Sequence, residues 1–268
     1  MKNFTLKLVR RLTFVGFLLT IPTHATETPY IISGFDDVLR QAENTGLIKA
    51  ALKIFEPDKT FTGMPELYQE ISRQEKEPHF VLVSAISHWF DGRIEKFLSE
   101  TNYPPHKRYL RNWLTEWSIS GFKISKIDEI IKGHSGREFI VIFDNSDPSL
   151  AMATELAQRY PQIRKVYLRM VVEKKLPQEA TSFYSAFDIA LREFEDKRLE
   201  AQVVERIAQI ILGEKKREML FPDYALCPNN YRPCEGTAFL TSHGEVCLAL
   251  QLHVERLCQA PYSKGTEP

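Results

Sequence analysis

Short apolar, β-branched runs alternate with segments of helical spacing over most of the chain, and this constrains the fold more than any other feature. Tyr30-Ile31-Ile32, Phe80-Val81-Leu82-Val83-Ser84, Phe139-Ile140-Val141-Ile142-Phe143 and Val166-Tyr167-Leu168 read as strands buried on both faces. Between them, Leu67, Tyr68 and Ile71, then Ile94, Phe97 and Leu98, then Ile127, Ile130 and Ile131 recur with helical periodicity, and a further helix spans about 149–160. Such alternation predicts an α/β fold: a mainly parallel sheet with helices on both faces. In open sheets of this kind ligands sit beyond the carboxyl ends of the strands. With 268 residues the chain is long enough to bury a sizeable core.

Residues 1–25 read as a secretory signal peptide. Lys2, Lys7, Arg10 and Arg11 precede an apolar run from Leu12 to Ile21, and Thr23-His24-Ala25 ends on a small residue suited to cleavage. Ten apolar residues span only about 15 Å as a helix, roughly half a hydrocarbon core, so an uncleaved anchor is disfavoured and no transmembrane segment is expected after cleavage. The 35 basic and 35 acidic residues balance. Losing the leader's four cations leaves a mildly acidic chain, which argues against a nucleic-acid partner. Cys227, Cys234, Cys247 and Cys258 fit an exported, periplasmic or secreted protein with two disulfides. Of the three connectivities, the local pairs 227–234 and 247–258 are slightly preferred. A zinc site with His243 and His253 lacks the usual close cysteine pair.

Three strand ends carry polar groups: Asp36 and Asp37; Ser84 and Ser87; Asp144, Asn145 and Asp147. Lys123 begins the helix before the third of these strands. Singly, each is an ordinary turn or cap residue. Together, carboxylates from two strand ends suit Mg2+, while a hydroxyl and an ammonium suit phosphate oxygens.

In this order the segments Ser33-Gly34-Phe35-Asp36-Asp37-Val38, Phe61-Thr62-Gly63-Met64-Pro65, Val83-Ser84-Ala85-Ile86-Ser87-His88-Trp89, Lys123 with Ile127, Phe143-Asp144-Asn145-Ser146-Asp147-Pro148 and Tyr167-Leu168-Arg169 resemble the motifs of one family. It is the catalytic domain of the actin-patch-associated phosphatidate phosphatases, within the haloacid dehalogenase (HAD) superfamily. The likeness covers about residues 29–200. It implies a HAD-like Rossmannoid sheet, Mg2+ held by Asp36, Asp144 and Asp147, catalytic roles for Asp36, Ser84 and Lys123, and a phosphorylated small molecule or phosphatidate-like lipid as partner.

The resemblance breaks where that chemistry begins. The family's nucleophilic aspartate falls on Gly34, which has no side chain to attack phosphorus or ligate a metal. Asp36 keeps the acid/base position, and general acid–base help alone supplies roughly 10²–10⁴-fold. The family's glycine before the metal aspartate is Phe143, which crowds the site. The reading is a degenerate, weak or inactive phosphatase that keeps a phosphate or lipid-headgroup pocket, a pseudoenzyme. The alternative is an active Mg2+-dependent phosphatase using Asp36 or a metal-bound water. Sliding the loop to make Asp36 the nucleophile would put Val38 in the acid/base position.

The expected organisation is a signal peptide over 1–25, the phosphatase-type domain over 26–200, and a helical, Cys-rich extension over 201–268. Residues 180–217 read as helical. Alternation of Val246, Leu248, Leu250, Leu252 and Val254 suggests a hairpin strand, and Gly213 to Glu218 reads as a solvated helix end.

Overall fold

The computed structural model describes residues 29–42, 59–73 and 79–260. The expected signal peptide lies outside the described residues. Six parallel strands form one sheet: β1 (Tyr30–Ser33), β2 (Phe80–Ser87), β3 (His106–Arg111), β4 (Phe139–Asp144), β5 (Ile163–Arg169) and β6 (Ala180–Phe183). Their order is β3-β2-β1-β4-β5-β6, and every neighbouring pair is parallel. The chain builds outward from β1 to β3, then returns to lay β4 on the other side of β1. The order therefore reverses between β1 and β4, the place where open parallel sheets form a crevice.

Alternate strand residues supply two apolar layers. Ile31, Leu82, Ile140, Ile142 and Tyr167 face α1 (Met64–Ser72), α2 (Asp91–Glu100), α5 (Ala186–Glu195), α6 (Ala201–Gly213) and α7 (Ala238–Gln259). Ile32, Val81, Val83, Val141, Phe143 and Leu168 face α3 (Ile119–Gly133) and α4 (Asp147–Arg159). At roughly 25 cal/mol per Å² of apolar surface, burial on both faces is what the near-continuous apolar runs are for.

Gly63 enters α1 at φ 84°, and a Cβ there would stand 3.1 Å from that of Ala186. Both the left-handed backbone and the close approach require glycine. Gly63→Ala is expected to cost about 1–2 kcal/mol in urea denaturation; unchanged stability would contradict this account of the turn.

Three expectations need correction. Ala180–Phe183 is an edge strand, and the helical region begins only at Ala186, behind a capping box made by Ser185 and Asp188. The proposed hairpin is instead α7, a helix interrupted at His243 (φ −131°, ψ 34°). Beyond that break its buried residues Cys247, Leu250, Val254 and Leu257 follow three- and four-residue steps, while Leu248 and Leu252 of the alternating set stay exposed. The disulfides are Cys227–Cys258 and Cys234–Cys247, not the local pairs. Cys247 and Cys258 lie on one helix, separated by about 16 Å of rise, too far for a disulfide.

The extension also holds the loop after β1. Gln41 Nε2 donates to the Glu218 carbonyl at 2.7 Å, Thr62 N–H to the Met219 carbonyl at 3.1 Å, and Thr62 Oγ1–H to Glu214 Oε2 at 2.9 Å. The Tyr224 hydroxyl donates to Asp37 Oδ1 at 2.7 Å. The segment 213–218 is thus a strap across the loop, with the Arg217 guanidinium bonded to the Ala260 carbonyl. Tyr224→Phe should cost about 1–3 kcal/mol, because buried Asp37 loses a donor. A urea midpoint equal to wild type would show that the strap does not depend on this bond.

Candidate functional site

The candidate site is the crevice at the carboxyl ends of β1 and β4. Gly34 leaves β1 with its N–H bonded to the Ile142 carbonyl at 2.9 Å, so it lies directly beside the end of β4. A Cβ on Gly34 would meet Phe143 Cδ1 at 2.8 Å and Val38 Cγ2 at 3.4 Å. The Phe143 side chain is fully buried, so its ring occupies the space beside position 34. Residue 34 is small where its neighbour across the strands is large.

The turn after Gly34 determines what Asp36 does. The N–H groups of Leu39 and Arg40 both reach the Phe35 carbonyl, and Asp37 takes φ 56°. This folds Arg40 back onto Asp36. Arg40 Nε and Nη2 donate to Asp36 Oδ1 at 3.0 and 2.6 Å, with both side chains largely buried. Such a charge-assisted pair gives Asp36 a resident cation. Asp37 is structural: its Oδ1 accepts from Ala42 N–H at 2.9 Å as well as from Tyr224. Ser33 is structural too, its buried hydroxyl 2.7 Å from that of Tyr68 and donating to the Gly34 carbonyl.

Lys123 reaches the crevice from the first turns of α3. Ser118 caps this helix by accepting from Gly121 N–H. The ammonium lies 5.0 Å from the centroid of the Phe143 ring, a cation–π arrangement. Burial lowers its pKa from the ordinary lysine value, while Asp144 and, less strongly, Asp36 pull it back up. The elements β1, α3 and β4 thus meet around the Phe143 ring.

Asp144 ends β4, is buried, and accepts from Ser146 N–H at 2.8 Å through Oδ1. Asn145 is a staple: its Oδ1 accepts from Val171 and Val172 N–H at 2.8 and 3.0 Å, and its Nδ2 donates to the Val172 carbonyl. Asp147 opens α4; its side chain lies outside the described residues. Ser84 is buried on β2, where the register shifts between Ser84 and Ser87, and its Oγ accepts from Ile86 N–H at 3.2 Å. Among the described residues no group of three His, Cys, Asp or Glu side chains is arranged to hold a metal ion.

Two arginines carry no role in the sequence reading, although Arg169 stands in the segment Tyr167-Leu168-Arg169. Arg40 was signalled only by its four-residue spacing from Asp36. Arg169, paired in register with Asp144, is buried. Its guanidinium stacks 3.8 Å from the Phe61 ring centroid and donates to the Tyr184 carbonyl at 2.9 Å. Burial brings its pKa down to about 10 against the opposing pull of Tyr103, Tyr224, Tyr68 and Asp37. It ties β5 to the loops flanking the crevice.

The sequence model of the family described as "Phosphatidate phosphatase APP1, catalytic domain" matches residues 30–170, just over half of the chain. No curated protein and no solved structure matches. The matched span holds all six residues on which the site reading rests: Gly34, Asp36, Ser84, Lys123, Asp144 and Asp147.

Proposed function

Because the chain belongs to the phosphatidate phosphatase APP1 family through its catalytic domain, we propose that it is a HAD-type member with a degenerate site. It holds a phosphate group or phosphatidate-like headgroup in the crevice between β1 and β4, and hydrolyses phosphomonoesters weakly or not at all. The observation that carries this reading is the 2.8 Å approach of Phe143 to the Cβ position of Gly34. The residue that would attack phosphorus is absent, and an aromatic ring fills the space beside it.

The family's Mg2+ would complement an attacking carboxylate and neutralise charge on the transferring phosphoryl group. The residues present fit that ion poorly. Gly34 offers no ligand atom, and Asp36 is already paired with Arg40. Of the expected ligands, that leaves Asp144 at the end of β4, with Asp147 beyond it on α4. Mg2+ binding is therefore weak in this proposal. Asp36 Oδ1 is occupied by the Arg40 guanidinium rather than open to a substrate.

Phosphate recognition needs less. The Lys123 ammonium is poised over the ring, and Ser84 lies on β2 where the register shifts; neither depends on residue 34. The two disulfides, together with the leader-like residues 1–25, support export to the periplasm or the medium.

Isothermal calorimetry with inorganic phosphate and with a short-chain phosphatidate tests the retained pocket. Binding should be measurable with wild type and fall at least roughly tenfold in Lys123→Ala, the loss of one charge-assisted contact. Absence of binding by a folded wild type would favour a scaffold whose crevice has no ligand.

A further inference from the structure

All three tryptophans of the chain fall between residues 89 and 117. They are exposed: 64% for Trp89, 38% for Trp113 and 86% for Trp117, with Leu114 between them at 67%. Trp89 follows β2; Trp113, Leu114 and Trp117 follow β3. The Trp89 and Trp113 ring centroids are 6.5 Å apart. The cluster thus stands at the carboxyl edge of the sheet, the edge onto which the crevice opens. Large apolar side chains gathered and exposed in this way mark an interaction surface.

The loop after β3 satisfies its own polar atoms. Asn112 Oδ1 accepts from Leu114 N–H at 3.0 Å, and the Asn112 carbonyl accepts from Thr115 and Glu116 N–H at 3.2 and 2.9 Å. Glu116 Oε2 accepts from Asn112 N–H at 2.7 Å, and the Trp113 indole donates to the Ala85 carbonyl at 3.0 Å. Leu114 and Trp117 project from a turn whose own hydrogen bonds are made, the condition for placing backbone in a poorly hydrated layer.

The surrounding charge is one-sided. Between His88 and Lys126, leaving out Lys123 of the crevice, six lysines and arginines stand against four aspartates and glutamates, in a chain with no net charge. Two of those carboxylates, Asp91 and Glu95, are held by Arg108. The Arg111 guanidinium lies 5.8 Å from the Trp113 ring centroid. Tryptophan favours the boundary between hydrocarbon and headgroups, and a basic surround favours anionic headgroups.

We propose that this tryptophan cluster, with the basic residues around it, docks onto an anionic lipid bilayer and turns the carboxyl edge of the sheet toward the membrane. The inference rests on these loops, and holds whether or not the crevice binds phosphate.

The tryptophans themselves report the test, since no others exist in the chain. Full-length protein is titrated with vesicles of phosphatidylcholine containing phosphatidylglycerol. Tryptophan emission should move to shorter wavelength, with no response to phosphatidylcholine alone and a weaker one at high salt. Leu114→Ala/Trp117→Ala should weaken binding roughly tenfold or more; both positions are exposed, so the fold should stand, as circular dichroism checks. Lys123→Ala should bind phosphatidylglycerol vesicles as wild type does. Four results would overturn the proposal. One is no shift with anionic vesicles. Another is cosedimentation without a shift, as the apolar residues 12–21 would give. A third is binding confined to phosphatidate and lost in Lys123→Ala, which would place the contact in the crevice. The last is a shift that grows with protein concentration in the absence of vesicles, which would make the occupant a second copy.

Discussion

Gly34→Asp alone is expected to lower stability by about 2–4 kcal/mol and to leave the protein without turnover. The added Cβ meets a buried ring at 2.8 Å, and overpacking plus an incompletely satisfied buried carboxylate give a penalty of this size. Gly34→Ala isolates the steric part and should cost about 1–3 kcal/mol. In a Phe143→Ala background, itself destabilised by about 3–5 kcal/mol, the penalty for Gly34→Ala should largely vanish, a coupling that a double-mutant cycle in urea reads directly. Gly34→Asp/Phe143→Ala should bind Mg2+ more tightly in calorimetry than either single variant. If Gly34→Asp alone is as stable as wild type, the ring does not close the site.

The second large effect concerns the disulfides. Replacing Cys227 and Cys258 by serine should cost about 4 kcal/mol, and replacing Cys234 and Cys247 about 3 kcal/mol, by loop-closure entropy for separations of 31 and 13 residues. The effects should not add, because one loop lies inside the other. Reduction should also reach the site loop, since Tyr224, Glu218 and Met219 of the extension hold residues 37, 41 and 62. Thermal melts with and without reductant measure this; equal midpoints would mean that packing of α7 alone retains the extension.

The four strands flanking the switch point could be read because burial on both faces leaves unbroken apolar runs such as Phe139 to Phe143. The outer strands could not. β3 reads His-Lys-Arg-Tyr-Leu-Arg and is only partly buried, and β6 is four residues long. The α7 segment misled because Val246, Leu250 and Val254 satisfy a two-residue and a four-residue repeat at once. Its exposed leucines are not distinguishable from core leucines by composition. At the site, Asp36 and Asp144 could be named because a parallel sheet sends its strand ends to one edge, whereas Lys123, on a helix, could be named only through the resemblance. The guanidinium of Arg40 on Asp36 depends on a left-handed turn at Asp37. Gly34 and Phe143 stand 109 positions apart in the chain, and only the pairing of β1 with β4 makes them neighbours.

The most direct test of a site that binds without turning over is phosphate release from phosphatidate in mixed micelles with saturating Mg2+. Wild type and Asp36→Asn would be compared over hours. The degenerate site predicts release near the enzyme-free rate for wild type, unchanged in Asp36→Asn. Steady wild-type turnover that disappears in Asp36→Asn would contradict it, and would mean that Asp36 leaves Arg40 to carry the chemistry.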